Sequence, residues 1–375
     1  MNHFAAQPHF GQLAASAAKL KNYLLIGTDR SAFGFQFVPH APGDPCTHEL
    51  KQYFFNHTDP DGMSHGLATI GRELNRAVCL AISKPGGKRG SRNDMLPLKT
   101  TLCQEVLDFD AHITATTLAA SNLDKDPAQN RSLGPVRVCN TAAGRTTESC
   151  PTNLLPVNVH RNHTTNSLSI ASETKCLTKA ENVKAYPGLQ KALQLFDYAN
   201  DTVTQNMVLL LFRVCFWFLS RYIQQMPTQS LGEELGLNHN LVHYGLTILG
   251  NHDSTDQYAC IRQLPEGPYD FFARIIELRQ DRQYSDLNVQ DIVTCGNIQH
   301  GFYTGTRRAL AEENPAFVTI AAIAISALTI GRLIELFQWA VGFCGTFINS
   351  NACHRPGVNA GKRQIRMLWK FSEEY

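Results

Sequence analysis

Ala77-Val78-Cys79-Leu80-Ala81-Ile82 is a short apolar run, closed by Ser83-Lys84-Pro85-Gly86-Gly87. A run this brief, with no polar alternation, fits a strand buried on both faces, and the Pro-Gly cluster after it fits a loop. Upstream, Met63 to Asn75 carries a helical pattern. Two more apolar runs precede it: Tyr23 to Ile26, ending at Gly27, and Gln52 to Phe55, closed by the turn cluster Asn56-His57-Thr58-Asp59-Pro60-Asp61-Gly62. Strand, loop, helix, strand is the order of a parallel sheet with helices on both faces.

The second half repeats the scheme. Met207 to Phe212 reads as a buried strand and Phe216 to Gln225 as a helix, which Pro227 is expected to break or kink. Leu241 to Leu249 is apolar and runs into Gly250-Asn251, while Phe271 to Leu278 and Phe317 to Ile320 are further strand candidates. The passage from Val157 to Tyr186 is polar and weakly patterned, as a connection between lobes would be. The expected fold is α/β, with two lobes that each hold a parallel sheet flanked by helices. The expected boundaries are an N-terminal segment at 1–22, a first lobe at 23–160, a connector at 161–186, a second lobe at 187–345 and a tail at 346–375.

Composition narrows the function classes. The chain has 375 residues, 43% hydrophobic and 18% charged, with a formal net charge of +2. That is globular in character, and no strong field points to nucleic acid or an anionic membrane. The eleven cysteines form no CxxC pair, which argues against zinc ribbons and redox motifs and for free thiols in a reducing compartment. Met1 to Asn22 has neither acidic residues nor arginine; an ordinary cytoplasmic N-terminus is expected, with a plastid as the alternative. The apolar run at Met207–Leu219 is interrupted by Arg213, and Ala316–Ile330 is followed by Arg332 and Glu335. Both are too short to span a bilayer and read as strand-plus-helix segments. His160 and His163 have the spacing of half a metal site, but no carboxylate lies near them in sequence, so no metal is expected.

In open parallel sheets, ligands lie beyond the carboxyl ends of the strands. The loops after Ile26, Ile82 and Leu249 are therefore expected at one rim. Ser31, Ser83 and Lys84 could bind an anion there, through hydroxyls, backbone N–H groups and a point charge. On their own these residues read equally as solvated turns.

Longer strings decide between those readings. Asn251-His252-Asp253-Ser254-Thr255-Asp256-Gln257-Tyr258-Ala259 resembles the GNKGSTDQHA loop of the phosphoglucose isomerase family in its cyanobacterial and plastid branch. Pro356-Gly357-Val358-Asn359-Ala360-Gly361-Lys362 resembles that family's PGVEAGK signature, and Gly144-Arg145-Thr146 its GGRTS element, with Leu154-Leu155-Pro156 following at the family's spacing. Ser220-Arg221-Tyr222-Ile223-Gln224-Gln225 is similar to its SRYLQQ helix, Asn56 to Gly62 to its NTDPDG turn, and Ser83 to Asn93 to its SKSGGTPETRN loop. The strings are in order and span roughly Leu24 to Lys362.

The resemblance implies two sugar-isomerase lobes and interconversion of glucose 6-phosphate and fructose 6-phosphate, without metal or organic cofactor. It also implies a homodimer whose partner is a small sugar phosphate. A carboxylate would move a proton between adjacent carbons through an enediol, an arginine would stabilise the developing charge, and a histidine would assist ring opening. Arg145 falls on the family's catalytic arginine, Lys362 on its C-terminal active-site lysine and Gln225 on a substrate-contacting glutamine. Ser31, Ser83 and Lys84 fall on phosphate-loop positions, and Lys88 stands where the second loop has a small or hydroxyl residue.

Two of the departures from the pattern bear on proton transfer. Gln229 occupies the place of the general base, and an amide cannot take a proton at neutral pH. Tyr258 occupies the place of the histidine, and a phenol titrates near pH ~10. The resemblance thus implies an isomerase with weakened proton transfer, or alternatively a relative that binds sugar phosphates as a sensor or regulatory subunit. Glu233 and Glu148 are the carboxylates considered as substitutes, each also readable as a solvated helix or turn residue.

Overall fold

The computed structural model describes residues 21–27, 51–56, 59–82, 89–108, 112–117, 136–137, 186–200, 206–252, 266–268, 270–280, 288–290, 293–313 and 316–352. The chain divides into two compact units, Met1–Ala171 and Ser172–Tyr375.

The first unit holds β1 (Asn22–Ile26), β2 (Lys51–Phe55), α1 (Pro60–Ile70), β3 (Ala77–Ile82), α2 (Arg89–Gln104), β4 (Ile113–Thr117) and β5 (Val136–Arg137). Its strands form one parallel sheet in the order β2-β1-β3-β4-β5. Every residue of β1 is buried, as its central place in the sheet demands. One face buries Leu24, Ile26, Phe55 and Cys79 against Met63 and Ile70 of α1 and Leu98 and Leu102 of α2. The turn cluster before α1 serves as its N-cap. The Asp59 carboxylate accepts the N–H groups of Asp61 and Gly62 at 3.1 Å each, and Pro60 starts the helix where no donor is needed. The helix expected at Met63–Asn75 therefore begins earlier. It also ends earlier, because Gly71 adopts φ 53° and a 3₁₀ segment takes over to Arg76.

The second unit holds α3 (Pro187–Asn200), β6 (Asn206–Leu211), α4 (Trp217–Leu231), β7 (Glu233–Leu235), β8 (Leu241–Tyr244), β9 (Thr247–His252), β10 (Phe271–Leu278), β11 (Asn288–Gln290), β12 (Val293–Thr294), α5 (Cys295–Glu313), β13 (Phe317–Ala322) and α6 (Ala327–Phe347). Its main sheet is parallel, in the order β13-β10-β6-β9. Read by strand rank, β9-β6-β10-β13 repeats the β2-β1-β3-β4 order of the first sheet, as a duplicated α/β unit would. Side chains alternate along β10. Phe271, Ala273 and Ile275 join Tyr303 and Leu310 of α5. On the opposite face Phe272 stacks on Tyr198 of α3, with ring centroids 4.1 Å apart. The helices α3 and α6 pack along each other, and α4 packs against β9 and α6.

Two expectations need correcting. The apolar stretch Leu241–Leu249 is two elements: β8 pairs antiparallel with β7, and β9 joins the main sheet. Gly245-Leu246 separates them. Leu249 is thus mid-strand, and the strand runs on to His252. Secondly, Pro227 does not break its helix. α4 continues a full turn to Leu231 with Pro227 buried on its packed face. Proline inside a helix costs about 3 kcal/mol, and the tertiary contacts of α4 outweigh it. The Ala316–Ile330 run resolves into β13 and the start of α6, and no helix among the described residues is long and apolar enough to cross a membrane.

Candidate functional site

Strand order fixes where a ligand can sit. In a 2-1-3-4 sheet the chain leaves the first and third strands in opposite directions, which opens a crevice at their carboxyl ends. In the first unit these ends are Ile26 and Ile82, side by side because Ile26 pairs with Ala81. Gly27 is anchored at that rim, its N–H donating to Phe55 O at 3.1 Å. Ser31 follows the first strand end in sequence, and Ser83, Lys84 and Lys88 follow the second. All four lie outside the described residues, as do Arg145, Glu148, His160, His163, Tyr258 and Lys362.

In the second unit the crevice falls between β6 and β10, where Leu211 pairs with Ile276. Arg213 stands two residues past the end of β6. Its Nη1 donates to Gln299 Oε1 at 2.5 Å, and Gln299 Nε2 in turn donates to the Phe212 carbonyl. A half-buried guanidinium is thus held at the mouth of the second crevice by the first turns of α5. In sequence, Arg213 reads only as the charge that interrupts an apolar run. A lone cation directly after a buried strand, at the switch point, is the signal that could have found it.

Gln225 and Gln229 are both described. They lie four residues apart on α4, one above the other on the same face, and both are half-buried. Three contacts fix the helix that aims them. Gly250 of β9 lies so close to Ser220 that a Cβ there would meet its Cβ, carbonyl oxygen and hydroxyl at 3.2 Å. Ser220 is fully buried, and its hydroxyl donates to the Trp217 carbonyl at 2.8 Å. Gln338 of α6 donates to the Tyr222 hydroxyl at 3.1 Å. One of the strings that carried the family resemblance, Ser220–Gln225, is therefore in direct contact with Gly250, the residue just before another. Past Pro227, Thr228 adds a hydroxyl bond to the Gln224 carbonyl at 2.6 Å, and the N–H of Gly232 closes the helix on the Thr228 carbonyl.

Glu233 does not continue the face of Gln229. The helix ends at Leu231, and Glu233 opens β7 opposite Tyr244. Nor is it a solvated residue, since it is 5% exposed. The alternative base therefore lies on a different element from the helical stripe. Among the described residues no cluster of His, Cys, Asp and Glu has the form of a metal site. The cysteines described are free thiols, and burial pushes the Cys344 thiol up to about 11 while the Tyr244 hydroxyl lies 3.2 Å from its sulfur.

Two lobes, each a parallel sheet with a switch point between its first and third strands, define the class: an α/β protein with the fold of the phosphosugar isomerases. Solved structures carry the same fold. A hypothetical protein from Thermus thermophilus superimposes with a TM-score of 0.86 at 19% identity, over 96% of this chain and 88% of its own. A glucose-6-phosphate isomerase from Chlamydia trachomatis superimposes with a TM-score of 0.89 at 16% identity, over 98% of this chain and 74% of its own. No protein-family model matches the chain. Curated relatives do. A glucose-6-phosphate isomerase of Geobacter sulfurreducens is 37% identical over 96% of this chain and 68% of its own length. One from another Geobacter strain is 36% identical over 99% and 70%, and a cyanobacterial one from Rippkaea orientalis 33% identical over 96% and 68%. The chain belongs to the glucose-6-phosphate isomerase family.

Proposed function

We infer that this protein interconverts glucose 6-phosphate and fructose 6-phosphate with a weakened proton-transfer step. In this reading the substrate phosphate is held by Ser31, Ser83, Lys84 and Lys88, and Gln225 contacts the sugar. Arg145 stabilises the enediolate, and Lys362 completes the site. Gln229 and Tyr258 occupy the places of the general base and the ring-opening histidine. The working form is a homodimer in the cytoplasm, with no cofactor.

The observation that carries this reading is the continuity of α4 through Pro227. It keeps residue 229 on the face it shares with Gln225, where a base would be needed. In this reading the place of the base is kept on α4 and its chemistry is changed. An amide in place of a carboxylate leaves binding and charge stabilisation in place and removes the proton acceptor. The expected loss is on the order of 10²–10⁴-fold in rate. The same two substitutions favour the second reading, a binding protein that reports sugar-phosphate levels.

The test compares the wild-type protein with a Gln229→Glu, Tyr258→His double variant in a coupled isomerase assay, with calorimetry for 6-phosphosugar binding. Restored carboxylate and imidazole should raise kcat by about 10² or more with little change in KM. Ordinary turnover by the wild-type protein sinks the claim of weakened transfer. Binding without turnover in either protein selects the sensor reading, and absence of binding removes both.

A further inference from the structure

A second site lies in the second unit, away from the stripe of Gln225 and Gln229. A cleft of about 610 Å³ is walled by Pro187 and Gly188 of α3, Leu333 and Leu336 of α6, and Ile320 and Ala322 of β13. The volume is that of an ordinary small-molecule pocket. The lining is largely apolar and contains no carboxylate, and Arg332 contributes the positive charge.

Beyond these walls lie two buried cations. Arg274, in the middle of β10, is 0% exposed, and none of its three guanidinium nitrogens has a hydrogen-bond partner among the described residues. Lys191 of α3 is 4% exposed, and its Nζ also has no hydrogen-bond partner among the described residues. Their nearest described company is aromatic: Arg274 lies 5.4 Å from the Phe272 ring centroid and Lys191 5.0 Å from that of Phe337. The two cations repel each other, and burial and that repulsion together draw the Lys191 pKa well down.

The walls lead to these charges. On α3, Lys191 is one turn beyond Pro187 and Gly188, on the same face. On α6, Phe337 is one turn beyond Leu333. On the sheet, Arg274 pairs with Val318, one pleat behind Ile320 on the same side of β13. On α3 and on the sheet, the two cations sit one step behind the apolar walls and do not themselves line the cleft. Interiors pair their buried ions, because an unpaired one carries a heavy desolvation penalty.

We propose that this cleft binds a small organic anion with an apolar body and a carboxylate head, the head received by Arg274 and Lys191. The planar guanidinium offers two parallel N–H donors to a carboxylate, and the ammonium adds a point charge. The apolar body covers Ile320, Leu333 and Leu336.

The probe is octanoate, with octan-1-ol and acetate as controls, measured by isothermal titration calorimetry on the full chain. Wild-type protein should bind octanoate, and either control should bind about tenfold or more weakly, the factor expected for losing a charge-assisted contact or the apolar body. R274M should lose octanoate affinity by a similar factor, and K191M by less. Replacing a buried unpaired cation removes its desolvation penalty, so R274M should melt no lower than wild type, and its loss of binding reports the site and not the fold. No heat with octanoate, equal affinity for octanol, or unchanged affinity in R274M overturns the proposal.

Discussion

Replacing Arg274 by methionine should make the second unit more stable. Methionine keeps the unbranched reach of the arginine stem and drops the charge. The structure sets the size of the effect. Burial draws the guanidinium pKa down from 12.5 to about 10. At about 1.4 kcal/mol per pH unit, this corresponds to roughly 3 kcal/mol of penalty on the charged form. Contact with the Phe272 ring returns part of it, and methionine fills the volume imperfectly. The net gain expected is about 1–3 kcal/mol, within the range seen when buried ions are exchanged for apolar residues. The readout can be confined to the right unit, because the three tryptophans, Trp217, Trp339 and Trp369, all belong to Ser172–Tyr375. Urea unfolding followed by tryptophan fluorescence should therefore show a higher midpoint for R274M with an unchanged slope. A midpoint lowered by an amount worth about 1 kcal/mol or more would refute the reasoning. It would mean that Arg274 has an anionic partner in the free protein.

Two further outcomes follow from the same packing. Burial and the neighbouring Arg274 charge draw the Lys191 pKa down in the fold, so the stability it leaves is full above the unfolded value of about 10.5 and is lost as pH falls toward the lowered folded value. The tryptophan-monitored midpoint of the wild-type chain should rise from pH ~7 to ~9.5, and K191M should be flat by comparison; parallel curves would remove Lys191 as the cause. Gly250→Val should press β9 away from Ser220, lowering the urea midpoint by an amount worth about 1–3 kcal/mol. An unchanged midpoint would show that α4 does not depend on this contact.

Much of the fold was legible because each unit is a parallel sheet buried on both faces. Such strands are brief apolar blocks between glycine and proline, and Ala77–Ile82 and Phe271–Leu278 stand as read. Where the reading failed, tertiary contacts outweighed a local preference. Proline at 227 opposes a helix, yet packing on β9 and α6 carries α4 past it. Residues 241–249 look continuous by composition, but the break at Gly245-Leu246 becomes visible only through pairing with β7 on one side and β6 on the other. Arg274 was hidden for the same reason. A single arginine inside an apolar strand counts as one polar residue in a hydrophobic block, and which partners it has is a property of the faces that α3 and α6 bring to it.

The candidate active site was legible in a different way, through strings rather than periodicity, and the structure gives one of those strings a mechanical cause. Glycine at 250 and serine at 220 are the small residues that let the strand and the helix come so close that a Cβ on residue 250 would stand 3.2 Å from Ser220. That approach fixes how far α4 stands from β9, and hence where the side chains at 225 and 229 project. The packing residues and the aimed residues are separable. Ser220 and Gly250 keep the close approach, and the helix they fix carries an amide at position 229. A carboxylate restored at 229 needs no rearrangement of the helix that presents it. For that reason the Gln229→Glu, Tyr258→His variant is a test of chemistry and not of folding. If its α4 contacts are retained and 6-phosphosugars bind but turnover still fails to rise, the amide at 229 is not what limits turnover, and the binding-protein reading stands.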